Sequence, residues 1–346
     1  MIASEILDIN PSDIVLDLCA SPGGKSSQIA SKLYDNGLLI SNDLNSSRIP
    51  QLIKNIERMG IKNSIITNES PKKLSEKWIC FFDKILVDAP CSGEGMFRKD
   101  RDSILAWDKN KSIRMSEIQI EILNYAAKML KNGGEIVYST CTFSKIENED
   151  IIFKFLQNNL DFEHIYLDYK KFGVSVGFDL KSLRIFPHLH KGEGHFVAKL
   201  RKKDGDTKSI SKTKIIKIDL KSYKEFSSRY LKNLYLDNIV QFKGSLYKIN
   251  PYSPLMDGIK VIRPGFFLGI QKKDRFEPSQ ALSMGININE FSEIINLDIN
   301  DFRINKFLNG ETFEIDADDG YKLFCFDNFP IGFSKILNNR LKWKSK

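Results

Sequence analysis

The sequence predicts an α/β protein in which a Rossmann-like, mostly parallel sheet is followed by a smaller α+β region. In residues 13–142, short apolar runs of strand length alternate with segments whose apolar residues recur at helical spacing. Glycines and acids follow several of these runs, which is where an open α/β sheet binds its ligands. A stretch rich in Lys, Asp, Ser and Gly, residues 201–214, then separates this region from the remainder.

Each element of the first region follows from a local pattern. Strands are predicted at residues 14–18, 38–43, 64–67, 83–88 and 135–141, because each contains a short run of buried-type apolar residues. Helices are predicted from residue 23, after the second strand as far as 59–60, over 115–131 and over 147–158. Gly133 and Gly134 are expected to end the third of these helices. Residues 183–186 and 195–200 are expected to pair as an antiparallel edge hairpin.

The same patterns divide the chain into four segments. Residues 1–203 are expected to form a catalytic domain and residues 204–214 a linker. An intermediate α+β domain is expected at 215–280, and a last small domain at 281–346. With 346 residues the chain is long for one domain, and an apolar content of 42% suffices for more than one core.

Charge and cysteine content exclude several classes of protein. Residues 1–200 carry 26 Lys and Arg against 26 Asp and Glu, whereas residues 201–346 carry 26 against 18, so the excess of +8 lies in the C-terminal part. This asymmetry predicts a catalytic domain followed by a domain that faces a polyanion, although lysines that only solvate the surface explain it as well.

The five cysteines are widely spaced, and no apolar run approaches membrane-spanning length. We therefore expect a cytoplasmic protein without disulfides or membrane contact.

The first motif that carries chemistry lies between the first strand and the first helix. It consists of Cys19, Ala20, Ser21, Pro22, Gly23, Gly24 and Lys25. The glycines let a ligand approach the backbone, and the helix N-terminus offers N–H donors. The spacing fits neither the Gly-x-Gly-x-x-Gly of dinucleotide-binding proteins nor a P-loop. Because Asp43 ends the second strand, where an acid accepts hydrogen bonds from ribose hydroxyls, the two features together predict an adenosine-containing cofactor.

Two cysteines follow neighbouring strands of the predicted sheet. Asp88, Pro90 and Cys91 follow the fourth strand, and Pro90 stiffens the backbone just before the thiol. Cys141 ends the fifth strand, so both thiols are expected at one edge of the sheet. Two thiols beside an acid suit covalent addition to an electron-poor ring. Either cysteine alone is equally explained as a buried structural residue, and the spacing does not decide which thiol attacks.

Taken together, these motifs resemble those of a known family. Residues 19–25, 88–95 and 139–142 are similar to the signature motifs of the Nop/Sun RNA 5-methylcytosine methyltransferases, and the resemblance spans roughly residues 1–200. Residues 252–263, 275–278 and 329–335 resemble the bacterial branch that modifies small-subunit ribosomal RNA and ends in a PUA-like RNA-binding module. The resemblance implies a methyltransferase sheet that uses S-adenosylmethionine, a PUA-like domain at 281–346, and RNA as the partner.

The resemblance also assigns roles to individual residues. S-adenosylmethionine would lie against residues 19–25 with Asp43 on its ribose, while Asp88 would border both cofactor and base and orient the cytosine at its N3 edge. Cys141 would add to C6 of a flipped-out cytosine, which makes C5 nucleophilic toward the cofactor methyl, and Cys91 would assist the release of Cys141. DNA 5-methylcytosine enzymes use the cysteine of a Pro-Cys pair as nucleophile, which would point to Cys91 instead. We expect a monomer without an obligate protein partner.

The chain departs from the family pattern in two places, and the first of them favours an alternative function. Family members carry about a hundred further residues before the first motif, an ordinary domain size, including an RNA-binding segment. The alternative is therefore a truncated, weakly active or inactive RNA-binding factor of ribosome assembly. An acid is common near the end of the third strand, where this chain has Asn68, Glu69 and Ser70. No cofactor contact is assigned to Ser70, and Glu69 is the candidate substitute. A nicotinamide-dependent oxidoreductase is disfavoured by the glycine spacing.

Several other polar and aromatic residues are given mainly structural roles. His188, His190 and His195 fit no standard zinc spacing, so no metal site is predicted, and they are expected to flank the edge hairpin near the RNA. Basic residues after the Cys91 loop either contact phosphates or solvate the loop: Arg98, Lys99 and Arg101. Phenylalanines near the C-terminus are expected to pack in a small β-module rather than to stack on bases: Phe324, Phe326, Phe329 and Phe333.

Overall fold

The structure is a computed structural model that describes residues 1–34, 36–99, 101–105, 107–108, 110–205, 213, 218–232 and 236–344. The chain forms two compact units. The first comprises Met1–Leu52, Ile66–Lys212 and Pro254–Ile262, and the second comprises Ile53–Ile65, Thr213–Ser253 and Arg263–Lys346. Most of the predicted linker, residues 206–212 and 214, lies outside the described residues.

Strands and helices alternate over much of residues 1–172, and three strands in succession end this region. The helices are α1 Ile2–Ile6, α2 Gly24–Leu33, α3 Ile49–Arg58, α4 Pro71–Lys77, α5 Arg101–Leu105, α6 Lys111–Met129, α7 Glu149–Asn158 and α8 Tyr169–Phe172. The strands are β1 Ile14–Asp17, β2 Leu38–Asn42, β3 Ser64–Thr67, β4 Phe82–Asp88, β5 Leu130–Thr140, β6 Phe162–Ile165, β7 Ser175–Val176, β8 Leu183–Ile185 and β9 His195–Lys202. Short 3₁₀ turns lie at Glu94–Met96 and Lys145–Glu147.

The strand order explains how motifs far apart in sequence meet. The sheet runs β3-β2-β1-β4-β5-β9-β8-β7, with β6 also paired to β9 and a later strand, β12 (Val261–Arg263), beside β3. Strands β2, β1, β4 and β5 are parallel, whereas β9 is antiparallel to β5 and β8. The carboxyl ends of the parallel strands therefore lie at one edge, where this kind of sheet binds ligands. The predicted α/β fold and its antiparallel edge pair are confirmed.

One predicted boundary is wrong. Gly133 and Gly134 lie inside β5 and do not end the preceding helix, which stops at Met129. The carbonyls of Lys128 and Met129 accept hydrogen bonds from the N–H groups of Cys80 and Phe81, at 3.0 and 2.8 Å, so the chain leaves the helix at Leu130 in an extended conformation. A register shift follows in the pairing with β4, where Gly133 adopts a φ of 75° that favours glycine.

The remaining elements follow residue 220. The helices are α9 Lys221–Tyr230, α10 Gln280–Gly285 and α11 Arg303–Asn309, with a 3₁₀ turn at Ile288–Glu290. Besides β12, the strands are β10 Ile239–Phe242, β11 Ser245–Lys248, β13 Phe266–Gln271, β14 Phe276–Pro278, β15 Ile294–Leu297, β16 Gly320–Phe326, β17 Phe329–Leu337 and β18 Arg340–Lys344. They form two four-stranded sheets, in the orders β10-β11-β13-β14 and β15-β16-β17-β18.

Aromatic side chains form much of the core of the second unit. Phe324 and Phe333 are fully buried, and Phe324 stacks on Phe307 with ring centroids 4.5 Å apart. Their predicted packing role is confirmed, and Phe326 packs partly buried against the same core. For Phe329 the prediction is wrong, because this side chain is 69% exposed beside the turn that joins β16 and β17. In the described part of the chain, no helix has both the length and the apolar composition needed to cross a bilayer.

Candidate active site

The loop between β1 and α2 lies against the end of β2. Its Ala20 N–H donates to the carbonyl of Asn42 at 2.7 Å, and its Ser21 N–H donates to Asp43 Oδ2 at 3.0 Å. The two features from which an adenosine-containing cofactor was predicted therefore touch. Arg48 Nη1 lies 3.6 Å from the same Asp43 oxygen, so the carboxylate faces a cation as well as backbone donors.

The glycines of this loop leave room for a ligand. Gly23 precedes α2 with a φ of 107°, a conformation that favours glycine. A methyl group added at Gly24 would meet nothing within 4 Å apart from its chain neighbours and the backbone of its own helix, so the backbone faces open space at the start of the helix. Open backbone at a helix N-terminus beside an acid suits a ribose-containing cofactor.

The polar side chains after β3 already bond to neighbouring residues of the chain. Ser70 is the N-cap of α4, and its hydroxyl accepts a hydrogen bond from the Lys73 N–H at 3.3 Å. The carboxylate of Glu69 accepts from the N–H groups of Ser70 and Lys260 and lies 3.0 Å from Lys73 Nζ. Both carboxylate oxygens of Glu69 therefore have partners within the chain. That Glu69 takes the place of the acid common in the family near the end of the third strand stays a prediction.

Asp88 lies at the centre of a charged cluster at the end of β4. Its Oδ2 is 2.6 Å from Lys25 Nζ, and its Oδ1 accepts a hydrogen bond from the Ser139 hydroxyl at 2.7 Å. Burial raises the pKa of this carboxyl, but Lys25, His195 and Ser139 outweigh burial, so that the pKa lies below its ordinary value. Asp88 is therefore ionised at neutral pH and accepts hydrogen bonds.

His195 joins this cluster from β9, which sequence reasoning missed. Its Nδ1 lies 3.1 Å from the Gly194 carbonyl, and its Nε2 lies 3.9 Å from Asp88 Oδ1 without a hydrogen-bond partner among the described residues. Burial lowers the pKa of the imidazole, opposed by Asp88 and assisted by Lys25. His188 and His190 lie elsewhere, since His188 packs on Phe186 and His190 bonds the Ser175 hydroxyl.

The two cysteines at the strand ends are in direct contact. Cys91 Sγ lies 3.1 Å from Cys141 Sγ, and the Cys141 N–H points to Cys91 Sγ at 3.3 Å. Their mutual hydrogen bond, together with burial, raises the pKa of Cys91, while the same bond lowers the pKa of Cys141. Two thiolates at this distance would repel each other, so the pair retains one proton between its two sulfur atoms.

A buried polar network fixes the loops that carry the cysteines. Glu147, which is fully buried, accepts hydrogen bonds from the Ser92 N–H and from Gln119 Nε2, both at 2.9 Å. Gln119 also donates to the carbonyl of Pro90 at 2.8 Å, and the hydroxyls of Ser92 and Thr142 lie 2.7 Å apart. Sequence reasoning overlooked Gln119, although a glutamine on the buried face of an amphipathic helix such as α6 is a usable signal.

The basic residues that follow the Cys91 loop are exposed to solvent. Arg98 is exposed, and its Nη2 lies 3.1 Å from both the Gly192 carbonyl and Glu193 Oε1. Lys99 and Arg101 are exposed and follow it. Within the described residues, no group of three His, Cys, Asp or Glu side chains is arranged to hold a metal ion.

Comparison with known proteins connects this site to one family. Residues 4–201 match the family described as 16S rRNA methyltransferase RsmB/F. Residues 225–286 match the first C-terminal domain of the RsmF rRNA methyltransferase, and residues 295–342 match the methyltransferase RsmF PUA domain.

Individual relatives agree with the family match. The chain is 33% identical to the ribosomal RNA small subunit methyltransferase F of Psychromonas ingrahamii, over 95% of this chain and 72% of that protein. It is 29% identical to the protein of the same name from Shewanella oneidensis, with the same coverage. Among solved structures, NSun6 from Pyrococcus horikoshii with SFG is similar, with a TM-score of 0.51 and 31% identity over 59% of this chain and 51% of that one.

Proposed function

Because the chain belongs to the RsmB/F family of 16S rRNA methyltransferases, we propose that it methylates C5 of a cytosine in 16S ribosomal RNA. The family uses S-adenosylmethionine, and the proposed reaction proceeds through a covalent bond between Cys141 and C6 of the base. The single observation that carries this proposal is the contact of two thiols, 3.1 Å apart, beside an ionised acid. Cytosine C5 is not nucleophilic by itself, so its methylation calls for a thiol that adds next to it.

Residues of this chain fit the cofactor. The β1–α2 loop, Cys19–Lys25, would hold S-adenosylmethionine against the open backbone at Gly24, with Asp43 on its ribose and Asp88 at the boundary with the base. Bound there, the cofactor supplies an electrophilic methyl group. The similar archaeal protein NSun6 was solved with SFG, an analogue of S-adenosylmethionine, which supports this assignment.

The side chains of this chain carry the remaining steps. A flipped-out cytosine is oriented at its N3 edge by Asp88, whose ionised carboxylate accepts a hydrogen bond from the adjacent N4 amino group. The Cys141 thiolate adds to C6 and places electron density on C5. After methyl transfer to C5, the C5 proton passes to solvent, its electron pair re-forms the C5–C6 double bond, and the C6–S bond breaks to release Cys141 as a thiolate. The S–H group of Cys91, 3.1 Å away in the free protein, then donates to the departing Cys141 thiolate, which stabilises the leaving group.

The two cysteines are expected to give opposite results when replaced. Cys141→Ala removes the nucleophile, so methyl transfer should fall by at least about 10³-fold, as for other nucleophile deletions. Cys91→Ala leaves the nucleophile but removes the donor that helps it leave, so a covalent protein–RNA adduct should accumulate. Both are measured with radiolabelled cofactor and a denaturing gel that resolves the adduct from free protein.

A third cysteine provides the matched control. Cys80 lies in the same unit outside the site, so Cys80→Ala should neither abolish transfer nor trap an adduct. The assignment is reversed if Cys91→Ala prevents the adduct and Cys141→Ala traps it. The alternative function, an inactive RNA-binding assembly factor, is supported if the wild-type chain binds RNA but yields no methylated cytosine in bisulfite mapping.

The proposal also covers the cellular location, the oligomeric state, the partner and the domain bounds. We place the protein in the cytoplasm as a monomer whose partner is ribosomal RNA. We assign residues 1–203 to the catalytic domain, 204–214 to a linker, 215–280 to an intermediate domain and 281–346 to the PUA-like domain. The family matches at 4–201, 225–286 and 295–342 support this division.

A further inference from the structure

An apolar cavity of about 400 Å³ opens beside the Cys141 loop. Phe97, Phe143, Phe186, Pro187 and His188 supply most of its lining. Its volume is several times that of a nucleobase and falls in the range of small-molecule sites. The proposed chemistry does not use this cavity, because the target base itself has to reach the thiols.

The aromatic rings of the cavity are arranged as a stacking surface. Phe143 and Phe186 are stacked at 16° with centroids 5.8 Å apart, and the His188 ring lies 5.6 Å from Phe186. The backbone of Phe143 is held at both ends, because its N–H donates to Glu94 at 3.3 Å and its carbonyl accepts from Arg184 at 3.0 Å. The surface is therefore formed before any ligand arrives.

The cavity adjoins the reaction centre. Phe143 is two residues from Cys141, and the N–H of Gly95, also in the lining, donates to the Cys141 carbonyl at 2.8 Å. A nucleotide next to a cytosine that is bound to Cys141 can therefore reach this cavity. Its base is unpaired when the cytosine is flipped out of a single-stranded segment, so its faces are free to stack.

A second, cationic cavity continues the first. It has a volume of about 480 Å³ and shares Arg98, Pro187 and His188 with the apolar cavity, adding His190 and Lys191. The side chain of Arg98 is 61% exposed at the junction even though it contacts Gly192 and Glu193. An aromatic cavity joined to a cationic one matches the two halves of a nucleotide, the base and the phosphate.

We propose that these joined cavities bind the nucleotide next to the target cytosine, with its base stacked in the Phe143–Phe186 cavity and its phosphate facing Arg98. This inference rests on the proposed function and adds a determinant of sequence context to it. Aromatic stacking accepts any base and favours purines through their larger surface. The enzyme is therefore expected to prefer a purine at one neighbour of its target cytosine.

The first test measures binding without catalysis. The RNA is a run of unpaired uridines with a single cytosine and 2-aminopurine on its 5′ or its 3′ side, and stacking quenches the fluorescence of 2-aminopurine. Wild-type protein should quench the probe at one of the two positions, and Phe186→Leu should abolish most of that quenching. Phe153→Leu is the matched control, since Phe153 is 63% exposed on α7 and outside the cavity.

The second test measures coupling in catalysis. An abasic ribose at the sensitive neighbour should lower kcat/KM of the wild type by about 5- to 150-fold, the range expected when one stacked base is removed. Phe186→Leu should lower kcat/KM on intact RNA comparably and add little on abasic RNA, because both changes remove the same stacking interaction. If Phe186→Leu folds poorly by circular dichroism, Phe97→Leu serves as the second variant.

The possible results distinguish a failure of the nucleotide site from a failure of the proposed methyltransferase function. The inference is overturned if neither 2-aminopurine position is quenched, or if the variants lower kcat/KM equally on intact and abasic RNA. Quenching at one position without methylation of any RNA would contradict the proposed function and leave the nucleotide site standing.

Discussion

Asp17 illustrates how one buried side chain makes stability depend on pH. It lies fully buried at the end of β1, where its Oδ2 accepts a hydrogen bond from the Ser26 hydroxyl at 2.6 Å. No described residue bonds its Oδ1. Burial raises the pKa of the carboxyl to about 7, against the opposing effect of Ser26. The folded protein therefore keeps a proton that the unfolded chain releases near pH 4.

This residue predicts a specific change in the pH profile of unfolding. Folding takes up a proton between about pH 4 and pH 7, so stability is greatest below this range and falls as the pH rises through it. The loss between pH 5 and 8 should be on the order of 3 kcal/mol, from roughly two pKa units. Asp17→Asn keeps the acceptor for Ser26 but has no proton to lose. The free energy of unfolding of this variant, measured with urea at both pH values, should therefore lack this loss.

The quantity to compare is the difference in the free energy of unfolding between the wild type and Asp17→Asn at each pH, because histidines titrate in the same range and contribute to both proteins. A parallel pH dependence of wild type and Asp17→Asn would mean that Asp17 is already ionised in the folded state.

Single residues also mark the limit of sequence reasoning. Asp43, Asp88, Cys91 and Cys141 were identified because each follows a predicted strand, and strand ends converge in a parallel sheet. His195 was grouped with two other histidines by sequence position, yet it faces Asp88 at 3.9 Å. His195 begins β9 and Asp88 ends β4, two strands that β5 separates in the sheet, and no local pattern predicts that their side chains meet.

At the scale of elements, a buried ion pair joins α7, β8 and the loop after β5. Arg184, only 1% exposed, donates to both oxygens of Glu149 at 2.8 and 2.6 Å and to the Phe143 carbonyl at 3.0 Å. Its guanidinium also lies 4.4 Å from the centroid of the Phe178 ring. Removing either partner leaves a buried charge without compensation.

The ion pair predicts strong non-additivity. Glu149→Leu and Arg184→Met should each destabilise the protein by about 3–5 kcal/mol, whereas the double variant that carries both replacements should cost much less than the sum. The measurement is the urea midpoint of each variant at an unchanged m-value. Additive losses would show that the two side chains do not act as a pair.

Most elements were predictable because their patterns are local. The four-residue strand at 64–67 was predicted with its observed bounds, since an apolar run bounded by polar residues suffices. The start of β5 was not, because apolar residues continue at helical spacing through Leu130. What ends α6 is the pairing of its last carbonyls with Cys80 and Phe81, which lie almost fifty residues earlier.

At the scale of the whole molecule, the uneven charge predicts how RNA binding responds to salt. The entire excess of +8 lies in residues 201–346, so phosphate contacts from this part should make binding weaken steeply with ionic strength. The logarithm of the association constant should fall linearly with log[salt], by about 0.7 per phosphate contacted on single-stranded RNA. The slope is measured by fluorescence anisotropy at KCl concentrations from about 50 to about 200 mM, a range over which binding to phosphates weakens strongly.

Matched lysine pairs test which part of the chain binds the phosphates. Lys243→Gln with Lys273→Gln, both exposed in the second unit, should lower the slope by about 0.7 for each phosphate that the variant no longer binds. Lys154→Gln with Lys170→Gln, exposed in the first unit, should leave it unchanged. An unchanged slope in both double variants would favour the interpretation of these lysines as surface solvation, and equal losses would mean that both units contact phosphates.

The sequence alone determined the alternation of strands and helices, the cofactor-type loop, and the family to which the motifs belong, because these depend on residues adjacent in the chain. Only the tertiary structure decided that Cys91 and Cys141 touch, that Glu147 and Gln119 hold their loops, and that aromatic residues from three loops form one cavity. Periodicity reports which face of an element is buried, whereas the partner on that face is set by strand order and packing.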